Sequence, residues 1–519
     1  MTDMKPVLIA GAGPIGLTTA LACRFYKIPF ILFEEDDSFS SDTKAGTILS
    51  RTLEAFRRYG VANDVLAQAL RVDEIGDIDR ATNQARRPVR PSLLVDETRF
   101  PFVINLPQHQ LEPILGEAVA SGEPGSVRLR HRLTGFTQHS DGVSVDFDTP
   151  DGPVRIEGSY LLACDGGRST VRGLLDIPVE GMSLDVRYML VDIKIDFDVA
   201  NPRDYPYLAY FSDPQEWMIL VRQPHCWRFL FPLAAGAQEA TPDELAEKVR
   251  RFVGDVGKLE VINTVIYRVH HRIARQWRRE RVFLMGDAAH LITPMWALGL
   301  NTGILDALNL PWRLAWVARG WAADGILDGY GAEQKTLAAQ GSGEMAEAAR
   351  AMMGGDASHA DPLASDDVGV ALSRTMLGVR LDIEGTGNWS IIKTGRLPVE
   401  VGDRMPDMDI FTGDGRVRRV HELFDDSFVA LHFADARRRP QLPDSDLPGL
   451  KHYLVSRWDA PHDSGLRDRS LFDVDDRLRK RLGVVDDSVV LVRPDDHIAA
   501  IVPRSGPAIE ATYRRIVGL

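Results

Sequence analysis

The sequence predicts an α/β fold in which a parallel, helix-flanked sheet is interrupted by a sheet-only insertion and followed by a small separate domain. Three observations carry that reading. Residues 5–36 run from an apolar strand through a glycine turn and an amphipathic stretch to a second apolar strand, a βαβ opening. Two later segments, 160–172 and 281–315, again pass from an apolar strand through a Gly/Asp corner toward a helix. Residues 181–275 read as successive strands divided by turn signals such as Ser212-Asp213-Pro214.

Composition narrows the partners. The chain has 519 residues, 44% hydrophobic, with 61 Lys+Arg against 74 Asp+Glu and a net charge of −13. At roughly 100 to 200 residues per domain this is two to four domains with a large core. A net acidic chain repels phosphate backbones and anionic lipid, so a small molecule is expected rather than nucleic acid or membrane. No apolar run approaches the roughly 18 to 20 residues of a spanning helix, and neither a signal peptide nor an anchor is read. Cys23, Cys164 and Cys226 lie far apart without a C-x-x-C pair, which fits a reducing, cytoplasmic setting and offers no disulfide framework. No His/Cys/carboxylate cluster has metal spacing, and no internal repeat is evident.

In the opening unit Gly11, Gly13 and Gly16 form G-x-G-x-x-G. The first glycine permits the tight turn, the second admits a pyrophosphate against bare backbone, and the third lets helix and strand pack closely. The phosphates would rest on the positive end of the helix dipole. Glu34 closes the second strand about 20 residues on, where a carboxylate accepts from an adenosine ribose. A ligand-free glycine turn is the bland alternative, and the motif alone does not separate NAD from FAD. The later corners are YLLACDGGRSTVR, with Asp165, and RVFLMGDAAHLITPMWALGLNTGILDALNLPWRLA, with Asp287. Taken singly, each of these aspartates could be a helix cap.

With these three ordered motifs the sequence resembles the single-component flavoprotein aromatic hydroxylases, of the p-hydroxybenzoate hydroxylase and phenol hydroxylase type, over most of residues 1–345. The resemblance implies a Rossmann-like FAD-binding domain in which Asp287 holds a ribityl hydroxyl. Asp165 would tie the FAD site together and be linked to nicotinamide use. Lys44 falls where the family has a basic residue near the pyrophosphate, and Gln108, in LPQHQLE, where a glutamine contacts the flavin side. Pro294 and the turn Gly299, Leu300, Asn301 would lie beside the isoalloxazine. A helix starting near Asn301 would aim its dipole at the N1/O2 edge, favouring the anionic reduced ring by roughly 0.3 to 2 kcal/mol. Where many relatives carry Gly-Gly-Gln, this chain has Trp296-Ala297-Leu298, adding bulk at that place.

The insertion holds the strands MLVDIKIDF, YLAYF, EWMILVRQ and CWRFLFPL. Trp227, Phe229 and Phe231 share one face by period-two alternation, with Arg228 and Leu230 on the other, so the aromatics are either a wall over a planar substrate or simply core. A phenol reacts faster as phenolate, so a hydrogen-bond relay or positive charge is needed near its oxygen. Tyr210, Arg222, His225 and Arg228 are the candidates; Tyr210 resembles a family tyrosine that touches the substrate hydroxyl, and Arg228 an arginine that stabilises reduced flavin. Arg222 could bind a carboxylate or phenolate and His225 accept a proton, though each reads more readily as a surface residue. Arg272, Arg275, Arg278, Arg279 and Arg281 read as the solvated face of a connecting segment.

Residues 327–350 read as a helix packing back on the first domain, and 354–367 as a linker. From about Leu397 a small domain begins, with the strand Phe428 to Phe433 and a hairpin around Pro494-Asp495-Asp496-His497. It resembles the thioredoxin-like C-terminal domain of phenol and polyketide hydroxylases, and without C-x-x-C a packing or homodimer role is left. The expected organisation is residues 1–180 and 276–395 for FAD, 181–275 for substrate and 396–519 for the C-terminal domain. The implied activity is an FAD monooxygenase using O2 and NADH or NADPH on a phenol, through a flavin C4a-hydroperoxide. Halogenation, against which the missing W-x-W-x-I-P stretch counts, Baeyer–Villiger insertion and a non-catalytic nucleotide-binding role are the alternatives.

Overall fold

The computed structural model describes residues 4–39, 46–85, 89–122, 126–195, 205–214, 216–233, 241–254, 257–293, 295–343, 346, 353, 378, 380–383, 399–435, 441–443, 447–457 and 466–519. The 354–367 linker expectation, Lys44 and Pro294 lie outside them.

A six-stranded sheet has the spatial order Arg278–Arg279, Val282–Leu284, Leu161–Ala163, Val7–Ala10, Phe30–Phe33, Val127–Arg128, and all but the first pair parallel. Its central strands, VLIA, LLA and VFL, are buried throughout, as parallel strands covered on both faces must be. The entry helix Pro14–Phe25 and the long helix Leu298–Ala318 pack together, and at Gly303 a Cβ would press on Ile15 at 2.7 Å, so glycine sets their approach. The long helix starts at Leu298, one turn before the expected Asn301, because Ala297 already serves as its N-cap.

The insertion contributes most of an eight-stranded sheet, ordered His290–Leu291, Leu259–Ala274, Val179–Ile195, Trp227–Leu233, Met218–Arg222, Leu208–Ser212, Ile75–Asp79, Gln84–Ala85. Two strands from the first part of the chain thus extend it, Ile75–Asp79 pairing in parallel with Leu208–Ser212. One face packs on the helix Pro242–Val253, which a Thr241–Glu244 capping box begins. Trp227, Phe229 and Phe231 lie on that face with Leu245, Val249 and Phe252. They are core, and the aromatic wall that the alternation allowed faces away from the first domain. The opposite face carries Tyr188, Leu190, Leu208, Tyr210, Ile219, Val221 and Leu230, packed against Leu49, Met295 and Leu298.

A seven-stranded sheet forms the C-terminal part, with Phe428–Phe433 parallel to Leu450–Ser456 and antiparallel to Ser488–Val492, which pairs with Ile498–Pro503. It abuts the long helix through Phe428, whose ring meets Trp312 and Trp316 edge-on at 5.6 and 5.8 Å. The basic cluster before Val282 is tied down rather than merely solvated. Arg278 pairs with Asp324 and Asp328, Arg279 donates to the Leu175 carbonyl and Arg281 to those of Ser140 and Ser159. Among the described residues no helix is long and apolar enough to cross a membrane, and no group of three His, Cys, Asp or Glu could hold a metal.

Candidate active site

Parallel pairing sets the site. Ala10, Ala163 and Leu284 stand side by side in register, so the corners that follow them, Gly11, Asp165 and Gly286-Asp287, leave the sheet at one level. That is the carboxyl end of the strands, where open α/β sheets bind ligands. Backbone hydrogen bonds lock the corners together: Cys164 N–H donates to Ala10 at 2.8 Å and Met285 N–H to Ala163 at 2.9 Å.

The glycines divide by what surrounds them. Gly11 sits at φ +98°, and a Cβ there would overlap the Cys164 carbonyl; a Cβ on Gly16 would overlap the Gly11 carbonyl. Gly13 has nothing within 4 Å of its Cβ position, so bare backbone is presented outward. Gly13 is also the N-cap of the entry helix and supplies no capping side chain, leaving first-turn N–H groups for an anion. Glu34 reaches back across the turn, accepting from Ala12 N–H at 2.7 Å and from Asp36 N–H at 3.2 Å. We expect Gly16→Ala to destabilise the apoprotein by about 3 kcal/mol in thermal unfolding. Gly13→Ala should leave unfolding unchanged and weaken dinucleotide binding instead.

Asp165 fulfils the cap reading with one oxygen only. Its Oδ2 accepts from Val171 N–H at 3.0 Å, at the start of the short helix Thr170–Leu174, while buried Oδ1 has no partner among the described residues. Burial raises its carboxyl above the usual range, against hydrogen bonds from Ser169 and Val171. An orphaned, buried oxygen at this corner fits a hydroxyl-bearing cofactor. Asp287 lies in the 3-10 turn Gly286–Ala288 with its side chain exposed, and the long helix is capped elsewhere. The residue that holds this corner is Asp306 of the long helix, whose Oδ2 accepts from Gly286 N–H at 2.8 Å and from His290 Nε2 at 3.0 Å. The sequence reading passed over Asp306, although an acid inside the apolar run ILDALNL was its signal.

Gln108 begins the helix Gln108–Gly122 and donates to Glu112 at 2.7 Å. Gly299, Leu300 and Asn301 form the first turn of the long helix rather than a separate turn. Asn301 is saturated: Oδ1 accepts from Leu49 N–H and Thr52 Oγ1 at 2.9 and 2.6 Å, and Nδ2 donates to the Thr47 and Ala297 carbonyls at 3.0 and 2.6 Å. Its side chain therefore fixes the helix start, leaving backbone N–H groups to face a ligand.

Of the four catalytic candidates, two lie on the sheet face toward this corner. Tyr210 is buried and stacks on Trp296, with centroids 4.8 Å apart and planes at 28°. Burial pushes its hydroxyl well above the usual value, against a hydrogen bond from the Trp296 backbone, so it is neutral near pH 7. Arg228 is buried and donates twice to Asp192, at 2.8 and 3.1 Å, with Nη1 unpartnered among the described residues. Arg222 turns into the hairpin, donating to the Gln223 and Cys226 carbonyls at 2.6 and 2.8 Å, and His225 is exposed at the bend. Two neighbours were missed. Gln223 is 1% exposed with both amide atoms unpartnered among the described residues, beside Gly46 and Arg228. Burial, and after it the Arg228 charge, lower the pKa of the His109 imidazole.

A 3-(3-hydroxy-phenyl)propionate/3-hydroxycinnamic acid hydroxylase from Mycolicibacterium smegmatis is 30% identical over 340 residues, 63% of this chain and 58% of that protein's length, so the chain spans less than two thirds of it. A para-nitrophenol 4-monooxygenase from Pseudomonas sp. strain WBC-3 is 27% identical over 65% of this chain and 84% of its own. The crystal structure of aklavinone-11 hydroxylase with FAD and aklavinone superposes with a TM-score of 0.81 at 25% identity, covering both chains fully. The family model described as FAD binding domain matches residues 4–342, and the chain belongs to that family.

Proposed function

We propose that the chain is an FAD-dependent monooxygenase that takes electrons from NADH or NADPH and places one oxygen atom of O2 on a phenolic ring, the other leaving as water. The observation that carries this reading is the meeting of Gly11, Asp165 and Gly286-Asp287 at one level, beside a sheet face that packs on the start of the long helix. The three relatives named above are hydroxylases or monooxygenases of phenolic compounds or carry FAD with an aromatic ligand.

When bound, FAD supplies hydride acceptance and O2 activation. The chain's own part is binding, orientation and polarisation. Gly13 and the uncapped entry helix receive the pyrophosphate, Glu34 the ribose, and Asp165 and Asp287 the ribityl chain. The N-terminal turn of the long helix would favour the negative charge that a bound flavin gains on reduction, by roughly 0.3 to 2 kcal/mol. Neutral Tyr210 and the free N–H of Arg228 donate toward oxygens, and the apolar sheet face keeps water out. Residues 1–180 and 276–395 would serve the cofactor, 181–275 the substrate and 396–519 packing. The free thiols Cys23, Cys164 and Cys226 suit the cytoplasm.

The test is direct. Purified protein should show the oxidised-flavin spectrum and oxidise NAD(P)H faster when a phenol is added, with a hydroxylated product. A colourless protein that refuses FAD would end the proposal. Asp287→Ala should raise the FAD dissociation constant about tenfold or more, as loss of one hydrogen-bond acceptor implies; full flavin occupancy in that variant would move the ribityl contact elsewhere.

A further inference from the structure

Trp296 stands in the short loop ahead of the long helix, and the fold accommodates it at visible strain. Trp296 and Ala297 are consecutive non-glycine residues in the left-handed region, at φ +55° and +57°. For a bulky side chain that conformation persists only when its surroundings impose it. They do so here: the Trp296 backbone bonds to the Tyr210 hydroxyl, Asn301 Nδ2 takes the Ala297 carbonyl at 2.6 Å, and Leu298 N–H returns to Met295 at 3.3 Å. The indole is stacked on Tyr210 by one face and is only half-buried, while Tyr210 is buried behind it. The loop thus holds a tryptophan with one face backed by Tyr210 and part of its surface exposed, two residues before the helix start.

We infer that Trp296 is the specificity-determining surface of the site, taking an uncharged planar aromatic substrate by stacking on its outer face, with Tyr210 as a positioning residue behind it. The inference rests on the proposed reaction and names its substrate class. The preference for an uncharged ring follows from the sheet face. Arg228 already balances its charge with both oxygens of Asp192, and Arg222 is committed to two turn carbonyls and lies 5.5 Å from the Trp227 ring. Among the described residues, what remains unpartnered there is the Nη1 N–H of Arg228, the donor–acceptor pair of the Gln223 amide and, beside them, Nδ1 of His109. Those groups suit a ring hydroxyl or carbonyl. A carboxylate would enter a neutralised, apolar setting at a desolvation cost.

The test uses the full-length holoenzyme and three probes: 1-naphthol, its saturated counterpart decahydro-1-naphthol, and 1-naphthoate. Affinity is read from the flavin difference spectrum and from tryptophan fluorescence. Wild type should bind 1-naphthol about tenfold more tightly than either other probe. W296G, which relaxes the positive φ, should keep FAD affinity and thermal midpoint while losing about tenfold in 1-naphthol affinity. W296F should stay within about threefold of wild type in affinity and lose most of the probe-induced fluorescence change. Y210L should weaken 1-naphthol binding more than Y210F, which keeps the stacked ring and loses only the hydroxyl that meets the Trp296 backbone. Unchanged 1-naphthol affinity in W296G, or 1-naphthoate binding as tightly as 1-naphthol, overturns the inference. Probe binding that follows these rules without phenol-stimulated NAD(P)H oxidation would sink the proposed reaction and leave the stacking surface standing.

Discussion

Asp306→Ala is expected to cost about 3 to 5 kcal/mol in urea unfolding and to release FAD, although Asp306 lies in a helix interior and was not among the candidate site residues. The side chain is fully buried, and its Oδ2 is the acceptor for both Gly286 N–H and His290 Nε2. Alanine would strand two buried donors, each worth about 1 to 3 kcal/mol. The damage would also spread laterally: His290 stacks on Trp277 at 5.1 Å and 17°, and Tyr330, beside Trp277, donates to the Leu284 carbonyl. All of these surround the strand that delivers Gly286-Asp287. Asp306→Asn can place its amide oxygen where Oδ2 accepts both bonds, but it loses the negative charge and buries an NH2 at the Oδ1 position, so an intermediate loss is expected. Flavin release should track the loss of stability across the two variants. An alanine variant with the wild-type urea midpoint and full flavin would show that the corner holds itself.

What was legible in the sequence is what local chemistry encodes. Gly11, Gly13 and Gly16 have fixed roles in one turn, and the Asp165 and Asp287 corners follow apolar strands, so their sites could be read without knowing what lay opposite. The sheet insertion was legible as strands because its alternation is strong, but alternation yields two faces without saying which looks inward. That was decided by the helix Pro242–Val253, which covers Trp227, Phe229 and Phe231 and leaves Arg228 and Leu230 toward the first domain. The T-P-D-E of its capping box was present in the sequence and would have pointed to a helix there. Ile75–Asp79 joining that sheet was not legible, since a parallel pairing with Leu208–Ser212 rests on contacts across more than a hundred residues. Gln223 and His109 were missed for a related reason: an amide or imidazole acquires significance only when burial removes its water.

The C-terminal sheet bears on the same site through charge. We expect Arg493→Met to destabilise the protein by about 3 to 5 kcal/mol, because it leaves buried carboxylates without their cation. Arg493 is 1% exposed, donates to both oxygens of Glu333 at 2.8 and 2.9 Å and to Asp495, and Asp495 in turn accepts from Trp312 Nε1 at 3.2 Å on the long helix. Glu333 also receives Arg313 and Asn309 of that helix, each at 2.7 Å. Burial raises the Glu333 carboxyl, but Arg313 and Arg493 outweigh it and hold the pKa down to about 2 from 4.5. A folded pKa below the unfolded one means that the stabilisation is complete above about pH 4.5 and is lost as pH falls toward 2. Arg493→Met should raise the folded Glu333 pKa and flatten that part of the acid dependence. A Glu333→Leu, Arg493→Met double variant should recover only part of the loss, since it removes one stranded carboxylate but leaves Asp495 without Arg493 and Arg313 without Glu333. A single-variant cost under about 1 kcal/mol would place the pair among weak surface contacts and contradict its burial. The larger loss, with faster flavin release, would mean that the C-terminal sheet clamps the long helix of the proposed flavin site, and so takes part in that site from a distance.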